Sequence, residues 1–354
     1  MISASPCVSI IVPVYNRRET IKETITSVQK QIYQFWELIL IDDGSTDGAE
    51  SIINSSIRLD NRIHYFKRNR LPKGAPTCRN IGLSESKGTY VIFLDSDDIL
   101  APYCLEQRVT YMINNPKLDF AVFPMLLFKQ KPGDSFVFWN IQTTEADLER
   151  FLSFDAPWQT SCPIWRSEAL RSIGGWDENA LTWQDWEFHI KALALGLKYA
   201  TPNFLPDCFL RRDESEGRIS SADTAEPRFL SRLGTFDATY HLLKKQGLLS
   251  GKIENLFARL YFVNAEKAAL LGKRLVVQAF IKSIREKKFC EGIIYPYLNA
   301  LIAFKKMNVP FTLSAAYRFL RIFLPVSLTQ IHTNLFKHTL NPEDQKQIQA
   351  LLKN

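Results

Sequence analysis

Three carboxylates within four positions close an apolar run in Val91-Ile92-Phe93-Leu94-Asp95-Ser96-Asp97-Asp98. A short apolar run of this kind reads as a fully buried strand. Carboxylates crowded at its end repel one another unless something positive sits among them. Mg²⁺ or Mn²⁺ suits the place, because such an ion is usually held by one or two carboxylates together with a substrate's phosphate oxygens. The plainer alternative is that these Asp residues cap the helix that follows.

Several other apolar runs end in polar residues in the same way. Val8–Val14 is β-branched, carries Pro13 near its end where a lost ladder bond is tolerable, and leads into Tyr15-Asn16. Trp36–Ile41 runs into Asp42-Asp43-Gly44, a turn followed by a helix start. Ile63–Phe66 is a weaker third strand, and Lys73–Gly82 is a loop entering a helix that contains Arg79. Helical spacing is expected over 17–31 and 103–114, and Phe120–Phe128 reads as one more strand. Strands alternating with helices predict an α/β fold with a mostly parallel sheet, and such sheets bind ligands beyond the carboxyl ends of their strands. Tyr15, Asp42, Asp43, Asp95 and Asp97 all fall at such ends, so one cleft is expected to hold them. From about residue 130 the pattern loosens. A short strand at 162–165, a Gly174-Gly175-Trp176-Asp177-Glu178 turn and a helix opening at Thr182–Phe188 remain legible.

Charge divides the chain. Residues 225–354 hold 20 Lys+Arg against 8 Asp+Glu, whereas residues 1–224 hold 24 against 29. This break places a domain boundary near 222: an α/β domain over 1–222, with halves of about 1–100 and 101–222, and a basic helical domain over 223–354. No apolar run reaches the roughly 18 residues of a membrane span, and the N-terminus lacks a basic signal-peptide n-region. The six Cys are scattered singly, which reads as reduced thiols in a cytoplasmic protein and excludes a disulfide framework or zinc site.

Taken in order, Val8–Asn16, Leu38–Asp47, Arg79–Leu83, Leu94–Asp98, Gly174–Glu178 and Gln184–Glu187 resemble the family 2 glycosyltransferases, inverting enzymes with the GT-A fold. The resemblance spans about 10–190 and leaves the basic C-terminal part uncovered. It implies a nucleotide-sugar donor, UDP-linked in the commonest case, held by Pro13, Tyr15, Asp42, Asp43, Arg79, Asp95 and Ser96. Tyr15 would stack on the base, Asp43 would accept from the base's ring N–H, and Arg79 would reach the diphosphate. Asp97, with Asp95, would ligate Mn²⁺ or Mg²⁺, and Asp98 would support them. Asp185 matches the family's general-base position; Trp183 and Trp186 flank it and would raise its pKa by desolvation. Trp176 and Asp177, with the same two Trp, would lie on the acceptor side. Each residue also has a plainer reading as core aromatic, turn Asp or first-turn helix Asp. Two departures stand out: the loop 211–220 has no His, leaving Asp213 as a substitute metal ligand there, and position 184 is Gln.

The expected acceptor is a glycan or a lipid-linked saccharide in surface polysaccharide synthesis. Lys287-Lys288, Lys305-Lys306 and Arg318–Pro325 suggest attraction to an anionic membrane surface, placing the protein at the inner face of the plasma membrane. The alternative is a packed helical subdomain with a solvated basic face. No recognised motif points to nucleic acid. The rival readings are a nucleotidyltransferase, which would need a Gly-rich, Lys-bearing loop where Tyr15-Asn16-Arg17 stands, and a sugar-nucleotide-binding or scaffold protein with a disabled site.

Overall fold

Val8–Val14 (β1) is buried along almost its whole length because it lies between two parallel neighbours, Trp36–Asp42 (β2) and, further along the chain, Tyr90–Phe93. The computed structural model describes residues 5–212, 224–289, 291–306, 321–322, 324–329 and 331–353. Between β1 and β2 runs Ile21–Gln29 (α1), which starts four residues later than the sequence suggests, after the Tyr15–Thr20 turn. Ala49–Leu59 (α2), Ile63–Lys67 (β3), Ala75–Glu85 (α3) and Tyr90–Phe93 (β4) complete the first half. Then come Ile99–Leu100 (β5), Cys104–Asn114 (α4), Phe120–Val122 (β6), Met125–Phe128 (β7), Asp147–Leu152 (α5), Pro163–Arg166 (β8), Ser167–Ser172 (α6), Gln184–Ala194 (α7), Tyr199–Ala200 (β9) and Cys208–Arg211 (β10).

The main sheet runs β3-β2-β1-β4-β8-β6-β9, parallel except where β8 pairs with β4 and β6. The single strand expected over 120–128 is two. Pro124 interrupts it, since proline cannot donate to a ladder, and β7 departs to a second sheet, β5-β10-β7. That small sheet covers a core of its own, containing Ala101, Leu126, Phe128 and Phe209.

The chain continues as helices: Glu226–Lys245 (α8), Gly251–Leu270 (α9), Arg274–Glu286 (α10), Glu291–Lys306 (α11), Val326–Thr329 (α12) and Pro342–Leu351 (α13). The boundary expected at 222 lies outside the described residues, as do Asp213 and the start of the basic Arg318–Pro325 piece. Phe236 of α8 packs on the rings of Trp183 and Trp186, each at 5.3 Å, so one buried apolar cluster runs from the main sheet into α8–α11. Lys287 faces inward to Asp237 and is not part of an outward basic face. Residues 331–353 come back to the small sheet: Phe138 N–H bonds to the His338 carbonyl at 2.9 Å, Phe336 meets Trp139 edge-on, and Leu340 and Ile348 enter the second core. No described helix is long and apolar enough to cross a membrane. The five described cysteines are free thiols.

Candidate active site

A cleft of about 470 Å³ opens at the carboxyl ends of β1, β2 and β4. Pro13, Tyr15, Asp43, Arg79, Asp95, Ser96, Asp97 and Asp98 line it, and Trp183 and Asp185 close it from the start of α7. The carboxyl-end rule therefore brings together residues from four separated stretches.

Arg79 is held from several directions. Its helix α3 lies so close to β1 that a methyl group at Gly82 would overlap the Ile11 side chain. Its guanidinium donates to Asp95 Oδ1 at 2.7 Å and to Gln184 Oε1 at 3.1 Å. The Trp176 ring centroid lies 4.4 Å from it. Asn80, the next residue, bonds both backbone groups of Trp176 and the Glu178 carboxylate. Gly175 lies at φ +72°, and a Cβ there would come within 2.6 Å of Asn80 Oδ1. The glycine-rich 174–178 turn is thus the clamp on α3, which is why those separated motifs belong together.

The acidic turn is similarly braced. Asp95 accepts from Arg79 and, at 3.1 Å, from Gln159. Asp97 has Arg17 Nε at 3.8 Å, and its carbonyl accepts from Arg211 Nε at 3.2 Å. Asp98 is buried; it accepts from Ser161 Oγ and the Arg211 N–H. Burial and the neighbouring Asp97 and Asp95 push its pKa up. Asp95 and Asp97 give a pair of hard oxygen donors beside a cationic Arg79, a donor set that fits Mg²⁺ or Mn²⁺ completed by phosphate oxygens. Among the described residues no group of three or more ligating side chains forms a protein-only metal cage.

At the Tyr15 end of the cleft Asp43 accepts from Arg68 Nε at 2.5 Å and from the Gly74 N–H at 3.3 Å, while Lys73 Nζ lies 3.6 Å from the Tyr15 ring centroid. Asp42 turns away from the cleft: its carboxylate accepts the Ser45 N–H at 3.1 and 3.2 Å, which is turn chemistry. Trp176 and Trp186 are also absent from the cleft wall. The first stacks on Phe188 at 4.1 Å, and the second donates its indole N–H to the Phe151 carbonyl; both are buried core rings. Asp177 caps the Asn179 N–H outside the cleft.

Asp185 stands in the first turn of α7, after Trp183 in the left-handed region at φ 59°. Burial raises its pKa above the ordinary carboxylate value; the Trp186 N–H and Arg79 pull it down, and Asp95 pushes it up. Glu187, two residues on, is raised to about 7 by burial but does not line the cleft. The sequence reading missed Arg68, Lys73, Gln159 and Arg211. Arg68 directly follows β3, so the carboxyl-end rule could have found it. Gln159 lies in an irregular segment that carries no periodic signal.

Residues 9–161 match the glycosyl transferase family 2 model. Over 140 residues it is 36% identical to TuaG of Bacillus subtilis, a glycosyltransferase provisionally assigned to teichuronic acid biosynthesis, covering 39% of this chain and 54% of TuaG. Over 109 residues it is 41% identical to the Escherichia coli UDP-Glc:alpha-D-GlcNAc-diphosphoundecaprenol beta-1,3-glucosyltransferase WfgD, covering 30% of this chain and 42% of WfgD. The matches thus span about half of these relatives' lengths or less. In three dimensions the chain is similar to S. aureus TarS 1–349, with a TM-score of 0.62 at 17% identity over 89% of this chain and 90% of that one. The fold is GT-A-like, with a helical C-terminal region.

Proposed function

We propose that this protein is an inverting glycosyltransferase that moves a sugar from a UDP-linked donor to a hydroxyl of a glycan or lipid-linked acceptor in surface polysaccharide synthesis. The observation that carries this reading is the alignment, along one cleft, of an aromatic and an acid at one end (Tyr15, Asp43), a cation and paired carboxylates in the middle (Arg79, Asp95, Asp97), and a desolvated carboxylate at the α7 end (Asp185). The names of WfgD and of TarS in complex with UDP-GlcNAc support the uridine donor. The matched relatives support the polysaccharide context.

Each part has a chemical task. Tyr15 offers a π face to the base, and Asp43, oriented by Arg68, an acceptor for its ring N–H. Arg79 places a planar set of donors at the diphosphate, which gains negative charge as the glycosidic bond breaks. Asp97 and Asp95 would hold the Mg²⁺ or Mn²⁺ ion, whose chemistry is to neutralise that charge. Asp185 takes the proton of the acceptor hydroxyl, a group far too weak an acid to attack unaided. Attack from the face opposite the leaving diphosphate inverts the anomeric carbon. Exposed lysines of the helical region, such as Lys288 and Lys305, would favour an anionic membrane surface where a lipid-linked acceptor waits.

Thermal-shift titration with UDP, GDP and CMP, with and without Mn²⁺, tests the donor assignment. UDP should stabilise the protein, more so with Mn²⁺, and Asp97→Ala should lose the metal-dependent part while keeping its fold. Undiminished metal stimulation in that variant would remove Asp97 as a ligand, and stabilisation by GDP alone would overturn the uridine assignment.

A further inference from the structure

A second cavity of about 250 Å³ is lined by residues from β6 and β7, the 138–142 and 157–162 segments and the Pro202-Asn203 loop. None of its lining residues is Asp, Glu, Lys, Arg or His. This contrasts with the cleft, where eight of the lining residues are Arg or Asp: Arg17, Asp43, Arg79, Asp95, Asp97, Asp98, Asp185 and Arg211. Four aromatic residues, Phe123, Phe138, Trp139 and Trp158, contribute to the lining. The indole N–H groups of Trp139 and Trp158 are sealed from solvent, so these two residues offer the cavity their ring carbons. Exposed side-chain amides are supplied by Gln142 and Asn203.

We propose that this cavity is a saccharide subsite that holds one uncharged sugar ring of the acceptor, a proposal that rests on the glycosyltransferase reading above. A phosphate or a metal ion would find no charged partner there. A purely aliphatic ligand would displace water from the amides at a cost. A sugar ring offers both an apolar C–H face for the aromatic rings and a rim of hydroxyls for the amides. The volume falls just under the roughly 300–1,000 Å³ of pockets for drug-sized ligands, which suits one ring.

The 157–162 segment connects the cavity to the chemistry. Pro157, Trp158 and Cys162 face the cavity, while Gln159 and Thr160 line the cleft. Gln159 donates to Asp95 at 3.1 Å. The turn between them is closed by Cys162 N–H to the Gln159 carbonyl and Ser161 N–H to Gln159 Oε1. A ring seated in the cavity would therefore anchor the acceptor against the segment that also touches the metal-binding turn.

The test uses the full chain and methyl glycosides of glucose, galactose, mannose and N-acetylglucosamine as probes. Saturation-transfer NMR is run with saturating UDP and Mn²⁺ so that the cleft is occupied. At least one glycoside should bind in the presence of UDP. Asn203→Trp, which fills the cavity from an exposed position, should abolish that binding. Gln142→Leu, which removes one exposed amide of the lining, should weaken it about fivefold, the loss expected of one hydrogen bond. Both variants should bind UDP as the parent does, and in transfer assays should raise the acceptor KM with kcat unchanged. Binding of none of the four probes, displacement by UDP, or unaltered binding in Asn203→Trp would overturn the subsite. Probe binding that behaves as described in a parent without transfer activity would instead count against the enzyme reading alone.

Discussion

Arg79 and Asp95 meet at 2.7 Å although one is in the middle of α3 and the other follows β4. The same guanidinium reaches Gln184, the residue before Asp185. One buried side chain thus ties the acidic turn to the helix that carries the expected base, and its planar fork makes both bonds at once.

Arg79→Lys should expose that dependence. An ammonium is a point charge and cannot hold two diverging acceptors in plane. Hydrogen bonds to charged groups contribute about 1.5–3 kcal/mol each, so UDP affinity should fall roughly 10–150-fold with circular dichroism unchanged. Calorimetric titration showing parental affinity would remove Arg79 from the diphosphate site.

Asp185→Asn should lower turnover by about 10²–10⁴ while UDP affinity changes by less than about threefold, the margin of a small perturbation. Protonation must be lost for the carboxylate to act, and burial raises its pKa. The acid limb of the parental rate profile should therefore sit above the roughly 3.9 of a free Asp, and the variant should lack it. Linkage gives a second sign. A carboxyl with a raised folded pKa opposes folding once ionised, so Asp185→Asn should melt no lower than the parent at pH 7.5. A lower melting temperature with full activity would make Asp185 a helix-dipole partner only.

Much of this site was legible from residue order. Asp95, Asp97, Asp43 and Tyr15 follow buried strands, so apolar length and the parallel-sheet rule place them together. Pro13, Arg79, Ser96 and Asp185 came through the family resemblance and also line the cleft. The aromatic residues were less legible. Trp183 and Trp186 flank Asp185 in sequence, but only Trp183 lines the cleft; three positions separate them, and α7 turns Trp186 into the core against Phe151. Asp42 and Asp43 are adjacent at the end of a strand, where alternation sends neighbours to opposite faces; only Asp43 faces the cleft. The break at Pro124 was visible as a proline but was read through, because the apolar run on both sides hid the change of sheet.

Arg108 and Asp207 form a fully buried pair, with bonds of 2.9 and 2.6 Å. Arg108 also donates to the Ser161 carbonyl at 2.9 Å, fixing the segment next to Gln159. Asp207→Asn leaves a buried guanidinium uncompensated and should cost about 3–5 kcal/mol, measured by urea unfolding at neutral pH. A loss below about 1 kcal/mol would place the pair in the class of exposed ion pairs.

Sedimentation with anionic vesicles tests the membrane proposal. Lys288 and Lys305 are among the exposed basic side chains of the helical region. Attraction through such groups should fade as the Debye length shrinks from about 10 Å at 0.1 M salt to about 3 Å at 1 M. Equal retention on neutral and anionic vesicles would favour a helical region that serves packing alone.

The return of residues 331–353 to the small sheet also bears on how the protein is made. A nascent chain that has exposed only residues 5–212 possesses every residue of the cleft but lacks Leu340 and Ile348, and so leaves Phe128 and Phe209 open on one side. Arg212, whose guanidinium lies 3.8 Å from the Phe336 ring centroid, lacks that contact as well. The small core under β10 is therefore finished only after the helical region has been synthesised. Until then the exposed rings are a place for a chaperone to hold, and a protein cut short upstream of residue 340 keeps the residues of its cleft without the support beside them.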